Sequence, residues 1–392
     1  MFKIFSRKTP IKNLTILYIM AFFLALVSAL PAYIQSSYLE SFFGISVVTW
    51  FFVAANLISV LAVLVFPFLI KKFSNYVVTG VTGTIAFLSL IGLSLAAAPA
   101  FVFLFFVAML ISLNLIWINM DIFVESFSQD NSTGRVRAIY FTIMNLAWIV
   151  SPMLSAKIIE LSNYNYVFLI SSLLIIPFLI IFLLTSSRIK DHVVYKNIDL
   201  TATFKTMYQN IDLRGIFWLA LLLHVFYNAV TIFIPIYLHQ NLGFSWGELG
   251  LMFSLMLIPF ILVEIPAGIV ADKYLGEKEL MSLGYFIIIF CLILFFISPS
   301  TNFWFWTGLM FASRIGAALV ESMREAYFFK NVDAKDIDKI NVFRTTMPIG
   351  LLLGSVLGVA TLMFLPINYI FLITAILLSS AFPFLIMLKD TR

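Results

Sequence analysis

Where the apolar run 246–271 gives way to the run 280–298, the sequence reads Gly268-Ile-Val-Ala-Asp-Lys-Tyr-Leu-Gly-Glu-Lys278. Two glycines and four charged residues stand in this short segment. Gly276 permits a tight turn with positive φ, and Gly268 permits neighbouring helices to approach closely. A charged turn between two apolar runs indicates a hydrophilic connection between two membrane-spanning helices.

Apolar runs of this kind recur along the whole chain of 392 residues. A membrane-spanning helix needs about 20 mostly apolar residues. The runs that reach or approach this length, numbered here as spans one to twelve, are 14–39, 46–70, 76–98, 100–122, 138–160, 166–185, 214–239, 246–271, 280–298, 303–328, 341–365 and 368–388. They predict an all-α membrane protein with twelve transmembrane helices.

The composition argues against several classes of protein. The chain is 62% hydrophobic and 11% charged, whereas a soluble domain has about 25% charged residues. So few charges cannot cover a surface that faces water, which argues against a soluble enzyme, a nucleic-acid-binding protein and a disordered scaffold. The single cysteine, Cys291, permits no intrachain disulfide.

The Lys and Arg residues indicate the orientation in the membrane. They occur at both termini and in the connections after spans two, four, six, eight and ten, while the opposite connections carry only Lys157. Lys and Arg collect in cytoplasmic loops, so both termini are predicted to be cytoplasmic. We expect a monomeric integral protein in the lipid bilayer of a prokaryotic cytoplasmic membrane.

The longest polar stretch lies six spans from each end and predicts a linker between two halves. We place an N-terminal six-helix bundle at 1–186, a cytoplasmic linker at 187–213 and a C-terminal six-helix bundle at 214–392. A weak internal repeat indicates that the halves are related, because Leu30-Pro31 in span one recurs as Ile234-Pro235 in span seven.

The segment that begins at Gly268 has the pattern G-x-x-x-D-[RK]-x-x-G-x-[RK] and resembles motif A of the major facilitator superfamily. With the twelve spans and the central linker, the resemblance covers essentially the whole chain. It implies two pseudo-symmetric six-helix bundles and a secondary transporter that works by alternating access. The family repeats this motif after span two, where this sequence reads Pro67-Phe-Leu-Ile-Lys-Lys-Phe-Ser-Asn75 and lacks the Asp and the Gly.

The resemblance assigns the segment to a gating latch on the cytoplasmic side. Asp272 at a buried helix end needs a helix N-terminus and a cation, and the family pattern suggests Arg135 and Arg137 at the start of span five. Such bonds would favour the outward-open state. A tight loop with solvated charges is the alternative. The other expected latch contacts join Lys273 and Lys278 to Glu321 or Glu325.

Small residues at regular spacing predict close helix packing in two spans. The span-five string resembles motif C of the family's proton-coupled antiporters, with every Gly replaced by Ala or Ser, and this resemblance favours export. Packing alone, with a kink at the proline, is the alternative. The residues are Ala147, Ser151, Pro152 and Ser155 in span five, and Gly350, Gly354 and Gly358 in span eleven.

Ionisable groups inside spans are costly and are therefore candidates for function. Span ten carries Arg314 near its middle and Glu321 at i+7 on the same face. The resemblance places spans one, four, seven and ten along a central cavity. Arg314 is then a candidate for binding an anionic group or holding a carboxylate, and Glu321 for carrying a proton. A buried ion pair that only fixes helix packing is the alternative.

Three other spans add candidates for the substrate and proton pathway. Glu264 in span eight needs a partner or a proton, and a structural role beside Arg314 or Arg324 is equally open. In span seven a polar stripe includes an imidazole, the side chain best suited to a proton switch near neutral pH. The stripe consists of His224, Asn228 and Thr231, and span four adds Asn114, Trp117 and Asp121.

These features predict a proton-coupled secondary transporter of a small organic molecule, with export favoured and uptake of a sugar or organic anion as the nearest alternative. No P-loop or metal-ligand motif occurs, so no cofactor, metal site or enzymatic activity is expected. Two other classes stay open. One is a non-transporting sensor of the same fold. The other is a membrane enzyme such as a prenyl transferase, which would use the acidic cluster Asp333-Ala-Lys-Asp-Ile-Asp338.

Overall fold

The structure is a computed structural model that describes residues 10–127, 133–185, 200–332 and 337–389. The regular elements in these ranges are helices. The first six are Pro10–Ala32, Gln35–Glu40, Ile45–Leu95, Pro99–Ser126, Thr133–Leu161 and Tyr164–Leu184. The later α-helices are Leu200–Gln209, Ile211–Asn228, Ile234–Ile236, Trp246–Leu255, Ile258–Lys273, Glu277–Ile297, Phe303–Asn331, Ile337–Arg344, Thr346–Leu362, Tyr369–Ser379 and Ala381–Met387.

Within the described residues, twelve segments are long and apolar enough to cross a membrane. Helices suit this role because they satisfy their own backbone hydrogen bonds in lipid. The predicted all-α membrane protein with twelve transmembrane helices is confirmed. In order, spans one to twelve are Asn13–Ala32, Ile45–Phe66, Phe68–Leu95, Pro99–Val124, Ile139–Leu161, Tyr164–Leu184, Ile211–Asn241, Trp246–Ala271, Glu277–Ile297, Phe303–Asn331, Val342–Leu362 and Tyr369–Met387.

Contacts between residues divide the chain into two compact units. One comprises Met1–Ala32 and Leu61–Lys196, and the other comprises Tyr33–Val60 and Asn197–Arg392. Residues 33–60 therefore pack with the second half of the sequence. The predicted boundaries place residues 33–60 in the N-terminal bundle 1–186, and the division into two six-helix bundles stays a prediction.

In the first unit, span one packs against spans five and six. The Ser155 hydroxyl donates to the Leu30 carbonyl over 2.5 Å, and the Ser151 hydroxyl donates to the Ala147 carbonyl of its own helix over 2.7 Å. These three small residues of span five are buried, as is Pro152. Their size lets the two helix backbones come close enough for a side chain to bond directly to the neighbouring backbone.

In the second unit, span eleven packs along span seven through its three glycines. A Cβ atom added at Gly350 would lie 2.5 Å from the His224 Cβ, and one added at Gly354 would lie 2.7 Å from the Asn228 Cβ. Gly358 is similarly tight against the Phe233 ring. A larger residue at any of the three positions would force the two spans apart.

Spans nine and ten make an equally close crossing at a pair of glycines. A Cβ added at Gly284 would lie 2.7 Å from the Gly316 carbonyl oxygen, and one added at Gly316 would lie 2.6 Å from the Gly284 carbonyl oxygen. Backbone atoms, which cannot rotate away, form both sides of this contact. The crossing therefore requires glycine at both positions.

Span seven changes its winding beyond its middle. Residues Ala229–Phe233 and Tyr237–Asn241 are π-helical, and they flank the short α-helical segment Ile234–Ile236 that contains Pro235. Proline lacks the backbone N–H that would continue the α-helical bonding. Such π-helical turns are frequent at functional sites.

Three described residues have positive φ, and one of them is Gly243, with φ 78°, in the connection between spans seven and eight. Gly276, with φ 103° and ψ 161°, precedes span nine, and the positive φ predicted there is present. Ser74, with φ 70° and ψ 153°, breaks the helix Ile45–Leu95 near the start of span three. Ser74 is the only non-glycine residue with positive φ in the described part of the chain.

Candidate functional site

Arg314 is a buried cation in the second unit, and its side chain is enclosed by aromatic rings. The residue is 2% exposed, and its guanidinium carbon lies 5.3 Å from the Phe226 ring centre and 5.5 Å from the Tyr227 ring centre. The Tyr33 side chain lies close enough to interact with the guanidinium. Arg314 Nε and Nη1 have no hydrogen-bond acceptor among the described residues. The site thus contains a buried charge whose hydrogen bonds are incomplete.

A row of charged side chains begins next to Arg314 and runs along span ten. The Tyr227 hydroxyl donates to Glu321 Oε2. Glu321 Oε1 lies 3.9 Å from Arg324 Nη2, and the same Nη2 lies 3.7 Å from Glu325 Oε1. Arg344 Nη1 of span eleven then donates to Glu325 Oε1 over 3.0 Å. Spans seven, ten and eleven are therefore joined by one continuous row of polar contacts.

Two more predicted residues lie within electrostatic reach of this row. Glu264 of span eight is half-buried, and its carboxylate interacts with that of Glu321. His224 is buried, is influenced by the charges of Arg324 and Arg344, and places Nδ1 2.7 Å from the Ala220 carbonyl oxygen. The structure therefore brings Arg314, Glu321, Glu264 and His224 into one cluster of ionisable groups.

Asn228 has a different environment from the charged row. Its Nδ2 donates to the Leu351 carbonyl over 2.9 Å and to Ser355 Oγ over 3.0 Å, and Asn56 Nδ2 donates to the same Ser355 Oγ over 3.1 Å. The sequence predicts one polar stripe facing a pathway. The structure instead buries His224 and Asn228 against the glycines of span eleven, while Thr231 is half-buried in the first π-helical turn.

The span-four candidates belong to the first unit. Asn114, Trp117 and Asp121 are each half-buried, and Trp117 Nε1 donates to Ser28 Oγ of span one over 3.1 Å. Asn119, on the same helix, is fully buried, and its amide atoms have no hydrogen-bond partner among the described residues. Asn119 was not predicted as a site residue, since a single Asn in an apolar run carries little signal by itself.

The latch expected from the motif is only partly described. The side chains of Asp272, Arg135 and Arg137 lie outside the described residues, as do those of the acidic cluster 333–338. At Gly268 an added Cβ would meet no described atom within 4 Å. Among the described atoms, no neighbouring helix approaches closely at that glycine.

The expected bonds from the motif lysines to span ten are not formed among the described residues. Lys278 Nζ lies 3.4 Å from the Leu388 carbonyl oxygen, and Lys273 is exposed. Glu321 and Glu325 bond to the arginines described above and not to these lysines. The motif's own Glu277 is buried and forms an ion pair with Lys330 of span ten.

Three charged residues of this unit were not selected as site residues from the sequence, although Arg324 was named as a possible structural partner of Glu264. Arg324 and Arg344 complete the charged row, and Arg324 differs from Arg314 only by its position near a helix end, where a cation is ordinary. Asp212 accepts hydrogen bonds from the Tyr327 hydroxyl over 3.1 Å and from the Lys389 backbone N–H over 3.0 Å. These contacts join residues that are distant in sequence, so spacing alone carried no signal for them.

Comparison with known proteins identifies the family. The sequence model described as Major Facilitator Superfamily matches residues 14–335 and, in a second match, residues 216–392. The chain belongs to the Major Facilitator Superfamily. Membership in this superfamily makes it an integral membrane transporter with a small-molecule substrate, as the motif after span eight predicted.

A solved structure shows the superfamily fold. The crystal structure of the nucleoside transporter NupG, in a mutant form, aligns with a TM-score of 0.74 and covers 96% of this chain and 100% of its own. The two sequences are 16% identical, so the likeness shows a shared fold. A search of curated proteins finds no match.

Proposed function

We propose that this superfamily member is a proton-coupled secondary transporter that moves a small organic molecule by alternating access, with export as its direction. The observation that carries the proposal is the row Tyr227–Glu321–Arg324–Glu325–Arg344, with Glu264 beside it. Charged groups within membrane spans are retained at a cost and mark substrate or proton paths. Export rests on the spacing of small residues in span five.

Glu321 is the group in this row best placed to take up and release a proton. Its side chain is 37% exposed, and its two oxygens contact Tyr227 and Arg324. Protonation of Glu321 would remove its attraction to Arg324, which would then interact with Glu325 alone. A change of charge at one residue thereby changes the contacts between spans seven and ten, and such a change shifts the balance between conformations.

Transport in proteoliposomes with an imposed pH gradient tests the proposal. Probes are a radiolabelled nucleoside, a sugar and an aromatic carboxylate. We expect Glu321→Gln to abolish the response of flux to the gradient while counterflow exchange continues, and Glu264→Gln to weaken it. Glu160→Gln, at an exposed carboxylate near the end of span five, is the matched control. A wild-type response to the gradient in both cluster variants would refute proton coupling through these residues.

The direction and the latch need separate measurements. Everted and right-side-out vesicles that contain the protein should accumulate the probe in the everted form if the protein exports. Asp272→Asn should reduce transport while expression and membrane insertion stay normal, because it removes the carboxylate that the motif reserves for a latch. Normal transport by Asp272→Asn would rule out the latch.

Orientation in the membrane is also part of the proposal. Cysteines placed at Thr201 and Asp333 should react with an impermeant thiol reagent from the cytoplasmic side, and one at Ser300 should not. The native Cys291 is buried and gives a low background. Labelling of Ser300→Cys from the cytoplasmic side would overturn the assignment of both termini to the cytoplasm.

A further inference from the structure

We propose that Arg314 and the aromatic rings around it bind the anionic group of a small organic anion, which is the transported substrate. This inference deepens the proposed transport function and rests on it. The ligand class is an organic molecule with one carboxylate or phosphate group attached to a flat apolar body.

The charge of Arg314 is uncompensated among the described residues. An arginine is charged at every accessible pH and carries five N–H donors. Buried charges are normally paired, since an unpaired ion out of water costs several kcal/mol. Among the described residues, Arg314 forms no ion pair with a carboxylate, and two of its three nitrogens lack an acceptor. An anionic oxygen group is the ligand that supplies both the charge and the acceptors.

The carboxylate two helical turns further along span ten is bonded elsewhere. Glu321 lies two helical turns from Arg314 on the same face of span ten, and it accepts a hydrogen bond from Tyr227 and faces Arg324. The Tyr227 ring contacts Arg314 with its face and Glu321 with its hydroxyl. Tyr227 therefore holds Glu321 away from Arg314 and leaves the guanidinium available.

The aromatic rings around Arg314 indicate the shape of the rest of the ligand. Phe226 and Tyr227 present their rings to the guanidinium, and Tyr33 beside it stacks on Phe253 with ring centres 5.0 Å apart and planes 27° apart. Cation–π contacts attract a guanidinium but accept no conventional hydrogen bond. A cation surrounded by rings suits a ligand whose charged end meets Arg314 while its flat end stacks on the aromatics.

Binding measured on the purified full-length protein tests the inference without any need for transport. The readout is the shift of the thermal unfolding midpoint with each of five probes: benzoate, phenyl phosphate, inorganic phosphate, the neutral isostere benzamide and the neutral nucleoside uridine. We expect shifts with benzoate or phenyl phosphate that exceed those with benzamide and uridine. A response to inorganic phosphate equal to that of phenyl phosphate would show that the rings contribute nothing.

Substitutions assign the binding to Arg314. Arg314→Gln should weaken the apparent affinity for the responding anion by roughly tenfold or more, since bonds to a charged partner are lost, and Arg314→Lys should retain part of it. Arg214→Gln is the matched control, because Arg214 also lies over an aromatic ring, that of Tyr208, but away from the cluster. If Arg314→Gln fails to fold, Arg314→Lys decides through its partial loss.

The outcomes separate this inference from the proposed function. Equal shifts with benzoate and benzamide, no shift with any anion, or an unchanged response in the Arg314 variants would each overturn the anion site. Anion binding lost in Arg314→Gln, together with flux that ignores a pH gradient, would uphold the site and overturn proton coupling. Gradient-driven flux of a neutral probe that is unchanged in Arg314→Gln would uphold proton coupling and overturn the anion site.

Discussion

The turns at Ser74 and Gly276 share a backbone conformation but not a sequence. Ser74 lies near the start of span three and Gly276 precedes span nine, with dihedral angles of 70° and 153° against 103° and 161°. This region of φ and ψ is open to glycine and strained for other residues, at about 1–3 kcal/mol. The turn is therefore kept in the copy of the motif that has lost its glycine.

The residue after each turn shows the same contrast. Aligned by the shared conformation, which is shifted by one residue from the motif alignment, Asn75 corresponds to Glu277, and both are buried. Glu277 forms an ion pair with Lys330, whereas neither amide atom of Asn75 has a hydrogen-bond partner among the described residues. Ser74 gains one bond in return, because its Oγ accepts from the Val77 N–H at 3.4 Å, as an N-cap residue does.

The fold imposes the turn, and the motif residues only make it less costly. The first turn forms with a strained serine and an unbonded amide, so its geometry cannot come from the motif. The second turn has a glycine and a bonded carboxylate at the same two positions. Four substitutions test this view, and each is measured by thermal or denaturant unfolding in detergent.

The largest effect is expected at the bonded carboxylate. Lys330→Met should destabilise the protein by about 2–3 kcal/mol, since it removes a half-exposed cation that pairs with the buried Glu277 carboxylate. Lys330→Arg is the conservative control and should keep most of the stability. Glu277→Gln combined with Lys330→Met should recover much of the loss. A Lys330→Met protein that unfolds like wild type would show that this ion pair contributes nothing.

The next effect is expected at the glycine of the second turn. Gly276→Ala should destabilise by about 2 kcal/mol, because alanine must adopt a conformation open mainly to glycine. Gly276→Ser should lie between alanine and wild type, since serine can cap the following helix as Ser74 does. Equal stability of the alanine variant and wild type would show that Gly276 does not lower the cost of the second turn.

The reciprocal change in the first turn should stabilise the protein. Ser74→Gly is expected to gain about 1 kcal/mol, because relief of backbone strain exceeds the loss of a long N-cap bond and the greater chain entropy of glycine. Ser74→Ala, which keeps the strain and loses the cap, serves as the opposite control and should destabilise. A destabilised glycine variant would mean that the cap outweighs the strain.

The smallest effect is expected at the unbonded amide. Asn75→Leu should be neutral or stabilising by about 0.5 kcal/mol, since no hydrogen bond among the described residues is lost and apolar surface is gained. Asn228→Leu is the control, because Asn228 donates to Leu351 and Ser355 and should lose stability. Comparable losses in both variants would indicate that Asn75 has a bonding role of its own.

The sequence predicted the fold from features that act locally. Apolar length determines what can span a bilayer, so the twelve spans agree with the structure to within a few residues at most ends. The positive φ of Gly276 was likewise predicted from residue type and position. The strained Ser74 was not, because serine carries no signal for that conformation.

The sequence predicted which charged residues belong to the candidate site but not which residues they contact. Charge inside an apolar run drew attention to Arg314, Glu321 and Glu264, and the structure places these residues in one cluster. The partners of these residues depend on which helix faces pack together. Tyr227 stands in an ordinary apolar run, so nothing in the sequence marks it as a partner. The stripe at His224 and Asn228 shows the same limit, since helical spacing indicates a shared face but not what that face packs against.

The crossing of spans nine and ten at Gly284 and Gly316 has a consequence for the chemistry of the site. Gly316 stands two residues from Arg314 on a rigid helix, and its backbone touches that of span nine. A single methyl group at either glycine would push span ten sideways and carry the guanidinium with it. If Arg314 binds the substrate as we propose, mutation of an uncharged residue that never touches the ligand therefore changes ligand selectivity.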